Sequence, residues 1–136
     1  MNAQVKIDRL LQCLTPLLNR EQLAMCLLDE RQLQARLQDC LCIFREPEGI
    51  CALLPREIAD REQFTRVGDF RQITLQVSAS LLVPGFTARI VCELADAGIH
   101  SNVISARCHE HILVSERDAQ LAMQVLHGIS NRLQYS

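Results

Sequence analysis

The sequence has no tryptophan and one tyrosine, and its aromatic content is only 4%. It has a single lysine, Lys6, and its 14 basic residues are outnumbered by 16 acidic ones, for a formal net charge of -2. A nucleic-acid binder usually carries a basic face, often interleaved with aromatic rings. Neither is present, so no nucleic-acid partner is expected. No apolar run approaches the roughly 20 residues that a membrane helix needs, so no membrane partner is expected either. Met1 to Arg9 lacks the basic-then-apolar pattern of a secretory leader. There is no Gly-rich phosphate loop with lysine, no H-E-x-x-H and no G-x-S-x-G. The expectation is therefore a protein that is not an enzyme and has no cofactor.

What is present describes an ordinary folded protein. Apolar residues make up 49% of the 136 and charged residues 22%, enough apolar area to offset the ordering entropy. A chain this long buries roughly two-thirds of the surface it exposes when unfolded. The seven cysteines are odd in number and most sit inside apolar runs. There a free thiol behaves as a small hydrophobe, which predicts a reducing, cytoplasmic setting.

Hydrophobic spacing predicts the order of elements. Val5 to Leu18 reads as a helix with Ile7, Leu10, Leu11, Leu14, Leu17 and Leu18 on one face, and Pro16 marks its end. At this spacing the stripe reads as core before it reads as a partner groove. Gln22 to Leu28 suits a strand, while Arg31 to Gln38 is polar and fits neither pattern. Residues 40 to 54 read as a hairpin turning at Arg45-Glu46-Pro47-Glu48-Gly49, and Pro55-Arg56-Glu57 opens a helix. Gly68 and Asp69 interrupt the pattern.

Phe70 to Ser78 alternates as a strand, and Phe86 to Ala97 is helical, with Ile90, Val91, Leu94 and Ala95 on one face and Gly98 as its left-handed stop. Ser101 to Cys108 and Ile112 to Val114 read as paired strands about a tight connection at His109-Glu110-His111. Ser115, with Asp118 at capping-box spacing, starts a helix from Glu116 to about Ile129. The second half is thus strand, helix, strand, strand, helix, most of a ferredoxin-like βαββαβ unit whose last strand the first half can supply. The fold class is α+β, with two small halves in tandem, 1–68 and 69–136, antiparallel sheets and helices on one face.

Several stretches carry a family resemblance. They are Phe70-Arg71-Gln72-Ile73-Thr74-Leu75, Gly85-Phe86-Thr87-Ala88, Leu94-Ala95-Asp96-Ala97-Gly98-Ile99, Asn102-Val103-Ile104-Ser105 and His109-Glu110-His111-Ile112-Leu113-Val114. In this order they resemble the ACT domain, a ferredoxin-like fold that typically senses amino acids. With Phe44-Arg45-Glu46-Pro47-Glu48-Gly49 and Leu54-Pro55-Arg56-Glu57, the whole chain is similar to bacterial proteins with two ACT-like halves. Ala106, Arg107 and Glu110 stand where that group usually has Gly, Tyr and Asp. The resemblance implies a regulatory protein that binds an amino acid and associates with itself, most simply as a dimer.

Two places invite a functional reading. At Val83-Pro84-Gly85-Phe86 a loop leads into a helix whose first N–H groups favour a carboxylate, and Gly85 permits close approach. Asn102 on the next strand offers both donors and an acceptor. ACT domains bind amino acids near this loop, so the resemblance assigns ligand contact to Val83, Pro84, Gly85 and Phe86 together with Asn102, Val103 and Ile104. The competing reading is that Pro-Gly turns the chain and Asn102 satisfies a local backbone group. The second place, Cys108-His109-Glu110-His111, has metal-ligand residue types but no second ligand pair at standard spacing, and neighbours on a strand point to opposite faces. No metal and no catalytic residue are expected there.

Overall fold

The computed structural model describes residues 3–76 and 83–134. In chain order the elements are α1 (Ala3–Gln12), β1 (Pro16–Leu18), β2 (Leu23–Leu28), α2 (Glu30–Arg36), β3 (Cys42–Glu46), β4 (Gly49–Pro55), α3 (Arg56–Arg61), β5 (Thr65–Leu75), α4 (Phe86–Asp96), β6 (Ser101–Ser105), β7 (Glu110–Ser115) and α5 (Ala119–Gln134). Single 3-10 turns follow α2 at Leu37–Asp39 and precede α5 at Glu116–Asp118.

Two compact units result, Arg20–Arg71 and the pair of segments Met1–Asn19 with Gln72–Ser136. This partition crosses the linear division at 68/69, because the first 19 residues pack with the C-terminal half. The Arg20–Arg71 unit is a complete βαββαβ run, β2-α2-β3-β4-α3-β5. Its strands lie in the order β3-β4-β2-β5, and the β3–β4, β4–β2 and β2–β5 pairings are antiparallel. Alternation puts Ala24, Cys26 and Leu28 of β2 and Ile50, Ala52 and Leu54 of β4 on one face, where they form a core with Leu33 of α2 and Ala59 of α3.

The other unit begins with the second part of β5 and continues α4-β6-β7-α5. Its strand order is β1-β5-β7-β6, so the last ferredoxin strand is supplied from the N-terminus, as the element order predicts. β1 runs antiparallel to β5, with Pro16 opposite Leu75 and Leu18 opposite Ile73. Ile7, Leu11 and Leu14 join Ile73, Leu75, Phe86, Ile90, Leu94, Ile112, Val114, Leu126 and Ile129 in its core.

Several expectations are corrected. The first helix stops at Gln12 rather than Leu18, because a residue before proline avoids the helical region and Pro16 opens a strand instead. The carbonyl of Gln12 accepts from Ser130 Oγ at 2.8 Å and Gln134 Nε2 at 3.0 Å, which satisfies one helix-end acceptor. The polar stretch after Asp29 is a helix. Asp29 Oδ1 accepts from the Gln32 N–H at 2.7 Å and Gln32 Oε1 from the Asp29 N–H at 2.9 Å, a reciprocal capping box.

Gly68 and Asp69 do not break their strand. The register of β2 against β5 shifts between Ala24 and Met25, which face Asp69 and Val67, so Gly68 is the extra residue of a bulge at φ 73°. The predicted end of this strand at Val77 and Ser78 lies outside the described residues. Finally, Ser115 makes no side-chain cap, and the last helix runs on to Gln134. Ala95 is exposed, and Phe86 takes its place on the buried face of α4.

Two helix ends share one geometry with different residues. After α4, the Ile99 N–H reaches Leu94 O at 3.0 Å and the Gly98 N–H reaches Ala95 O at 2.9 Å, with Gly98 at φ 79°. After α3, the Phe64 N–H reaches Ala59 O at 3.0 Å and the Gln63 N–H reaches Asp60 O at 3.2 Å, with Gln63 at φ 53°. A β-carbon at Gly98 meets nothing within 4 Å, so Gly98→Ala carries only the backbone cost, about 1–2 kcal/mol in urea unfolding. Gln63→Gly is expected to raise stability by roughly 0.5–1 kcal/mol, the strain relieved less the entropy glycine loses. Equal effects of the two changes would contradict this pairing.

Candidate functional site

The loop before α4 is built mainly by packing. Gly85 caps the helix at φ 91° without a side-chain bond, and its carbonyl accepts from the Arg89 N–H at 3.0 Å. A β-carbon there stands 3.1 Å from Ile7 Cδ1. Both the backbone conformation and the approach of α1 therefore call for glycine. Phe86 is fully buried, Val83 packs against the same core, and Pro84 is exposed.

Strand β6 splits the remaining predicted residues between two faces. Asn102 pairs with Leu113 and Ile104 with His111. Directly paired residues share a sheet face. Ile112 and Val114 face the helices, so Asn102 and Ile104 lie on the face away from α4, while Val103 packs against the core. The fold does not bring the Asn102 side chain to the start of α4.

That open face carries a polar cluster the sequence reading did not assemble. Gln72 Nε2 lies 2.9 Å and Thr74 Oγ1 3.2 Å from Nδ1 of His111, and Asn19 Nδ2 donates to Thr74 Oγ1 at 3.3 Å. With Nδ1 accepting, the ring proton sits on Nε2. His109 Nε2 bonds Gln76 Oε1 at 2.9 Å, and the two imidazoles are 6.0 Å apart. Period-two spacing of Gln72, Thr74 and Gln76 was the available signal.

Burial lowers the His111 pKa, the neighbouring His109 lowers it further, and Glu110 opposes both. The folded state thus favours neutral His111. Its contribution to stability is complete above the unfolded value near 6.5 and is lost as pH falls through the lower folded value. Stability is expected to drop between pH 7 and 5 more in the native sequence than in His111→Gln, as read from urea midpoints at each pH. Equal pH slopes would contradict it.

Glu110 is not in a turn. Ser105 pairs with Glu110, and the Ala106 N–H reaches His109 O at 3.0 Å, so the connection is the tight turn at Arg107-Cys108. Glu110 begins β7 with 1% of its surface exposed, on the face toward α4. Its Oε1 accepts from Ser105 Oγ at 2.6 Å and Thr87 Oγ1 at 2.8 Å. Among the described residues no group of three His, Cys, Asp or Glu side chains converges as metal ligands. Burial raises the pKa of Cys26, Cys40 and Cys51, so these thiols stay protonated and poorly nucleophilic.

Surface hollows in the Arg20–Arg71 unit include two formed by described residues. One, of about 250 Å³, is lined by Arg20, Glu21, Gln22, Pro55, Arg56 and Glu57. The other, of about 290 Å³, is lined by Arg31, Gln32, Ala35 and Arg36 of α2 with Glu62 and Phe64 beyond α3. Neither was legible as a site, because each joins two short segments far apart in sequence.

Comparison with known proteins places this geometry. Two family models, each described as the ACT domain, match residues 3–71 and 67–128. They overlap inside β5, the strand that ends one unit and begins the other. A Vibrio cholerae protein described as of unknown function and a possible transport protein is 32% identical. The match covers 95% of this chain and 99% of that one, with a TM-score of 0.84.

The regulatory subunit of aspartate kinase from Thermus thermophilus, solved in a ligand-free form, shares the fold at 9% identity. That match covers 84% and 95% of the two chains, with a TM-score of 0.66. A protein from Agrobacterium tumefaciens matches at 14% identity and 0.63, over 86% and 89%. The search of curated proteins gives no match. No helix of the described residues is long and apolar enough to cross a membrane. Spanned by two matches that meet in its shared strand, the chain belongs to the ACT-domain family.

Proposed function

We propose that this protein is a non-enzymatic regulatory module that binds a small molecule, an amino acid in the first instance, and passes the binding on through self-association. The observation that carries the proposal is the pair of complete ACT units, an arrangement shared in fold with a subunit that regulates aspartate kinase. A ligand regulates only by binding one state better than another, and each unit offers strand-to-helix loops whose position a ligand can bias. The segment Val83 to Phe86 enters this reading through its backbone, since Phe86 is core. Asn102, Val103 and Ile104 do not reach it as one side-chain cluster.

The test is a thermal-shift screen of untagged protein against the twenty amino acids. A ligand at 100 times its dissociation constant stabilises by about 2.7 kcal/mol, several degrees for a chain this size. One amino acid with a clear upward shift supports the proposal, and no shift from any removes the ligand.

A second reading, a ligand-free association module, has its own observation. On the open face of the Arg20–Arg71 sheet, Phe44, Cys51, Leu27 and Thr65 form one cross-strand row, and Cys42, Leu53, Met25 and Val67 the next. Neither row holds a charge, and Phe44 and Val67 are 68% and 72% exposed. A dimer in sedimentation that Phe44→Asp dissociates supports this reading, and a monomer at all concentrations opposes it.

A further inference from the structure

The fold sorts the residue types that the sequence interleaves at Cys108-His109-Glu110-His111. Glu110 lies on the face toward α4, where its Oε1 accepts from Ser105 and Thr87. His109 and His111, two positions apart, come together on the open face of the C-terminal sheet. Their ring centres are 6.0 Å apart, with the planes tilted by 52°. Two imidazoles on one tetrahedral zinc ion, with Zn–N bonds of about 2.0–2.1 Å, have ring centres roughly 5 Å apart. The pair therefore needs to close by only about 1 Å to share a cation.

Each ring is braced through one nitrogen, which leaves the other for a metal. His109 Nε2 donates to Gln76 Oε1 at 2.9 Å, so its lone pair is on Nδ1. His111 uses Nδ1, with the Gln72 amide at 2.9 Å and Thr74 Oγ1 at 3.2 Å. A hydroxyl oxygen has room for two donated hydrogens, and the Gln72 amide can turn its oxygen toward the ring. With the ring proton moved to Nδ1, Nε2 becomes the ligand. Metal-bound histidines are characteristically held in this way, the second ring nitrogen donating to a neighbouring group. Both rings are also half-buried, so ordering them costs less than it would on a freely exposed surface.

We propose that His109 and His111 chelate a divalent late transition metal, zinc in the first instance, on the open face of the C-terminal sheet. Imidazole suits zinc, copper and nickel, whereas the hard cations magnesium and calcium take oxygen ligands. No third His, Cys, Asp or Glu converges on the pair among the described residues, so water completes the coordination. Such a site is open and exchangeable, unlike the closed four-ligand sites that hold structural zinc. It stands apart from the regulatory reading above, and neither depends on the other.

The experiment titrates zinc chloride into the untagged full chain under reducing conditions, read by calorimetry and by amide NMR, with magnesium chloride as the hard-cation control. One zinc per chain is expected, moving the amides of His109, Glu110 and His111 and the side-chain amide of Gln72. His109→Ala and His111→Gln are each expected to weaken binding at least about tenfold, because the ion loses the high effective concentration of the second ring. His109 precedes β7, so its removal tests the pair even where His111→Gln weakens the fold. His100→Ala and His127→Ala, at exposed positions, are expected to bind as the native chain does. Native-like zinc binding by His109→Ala overturns the pair. Zinc shifts centred on a cysteine, or binding lost in Cys108→Ser, overturn it by placing the ion on a thiolate. Magnesium binding as tightly as zinc, or no zinc binding, overturns it outright.

Discussion

Leu11→Ala is expected to lower the unfolding free energy by about 2–5 kcal/mol, with the loss falling on the unit that contains the C-terminal half. Leu11 is fully buried and shares a core with Ile73, Leu75, Phe86, Ile90 and Leu126, all from the far end of the sequence. Removing its branched end costs the transfer of those carbons and leaves a cavity that rigid neighbours cannot fill. Val5, on the same helix, is 39% exposed, and Val5→Ala should change stability by less than about 0.5 kcal/mol. Urea unfolding of the two variants checks the contrast. A Leu11→Ala cost under about 1 kcal/mol would mean that α1 is not seated on this core.

Glu110→Ala is expected to cost about 3 kcal/mol, and Glu110→Gln clearly less. The carboxylate is buried and accepts from Thr87 in the first turn of α4 and from Ser105 at the end of β6, so one side chain joins three elements. Alanine removes that acceptor from both hydroxyls and opens a cavity as well. Glutamine keeps an oxygen for them but gives up the charge that the positive end of α4 favours. Guanidinium unfolding of both variants, beside exposed Glu48→Ala as the reference, reads the difference. Glutamine as damaging as alanine would place the effect in the charge rather than in the hydrogen bonds.

Local chemistry made much of the fold legible. The hairpin at Pro47-Glu48-Gly49, the left-handed stop at Gly98 and the alternation through Ile73 and Leu75 each follow from a residue type at a defined step of a short pattern. The capping box at Asp29 and Gln32 was also readable, although the polar face of α2 hid the helix behind it. Less accessible was anything decided by a distant partner. Leu17 and Leu18 continue the apolar spacing of α1, yet they form a strand because Thr74 and Ile73 of β5 offer an open edge. Gly68 looked like an interruption because a bulge cannot be told from a turn without knowing its partner strand.

The candidate site was legible in part for the same reason. Gly85 was recognised as special, and its positive φ and the closeness of Ile7 show why. The face on which Asn102 projects depends on its pairing with Leu113, which no local pattern sets. The polar cluster about His111 and the hollow at Arg31 join residues separated by tens of positions, and only the tertiary fold assembles them.

The central claim is that one chain makes two ACT units by sharing β5 and by lending residues 1–19 to the C-terminal half. Native-state hydrogen exchange tests it directly. The Asn19 N–H bonds Gln72 O at 2.9 Å beside the β1 pairing, so it should open with the same free energy as the amides of Ile112 and Val114. Exchange at Asn19 as fast as in an unfolded peptide, with β7 still protected, would contradict the account.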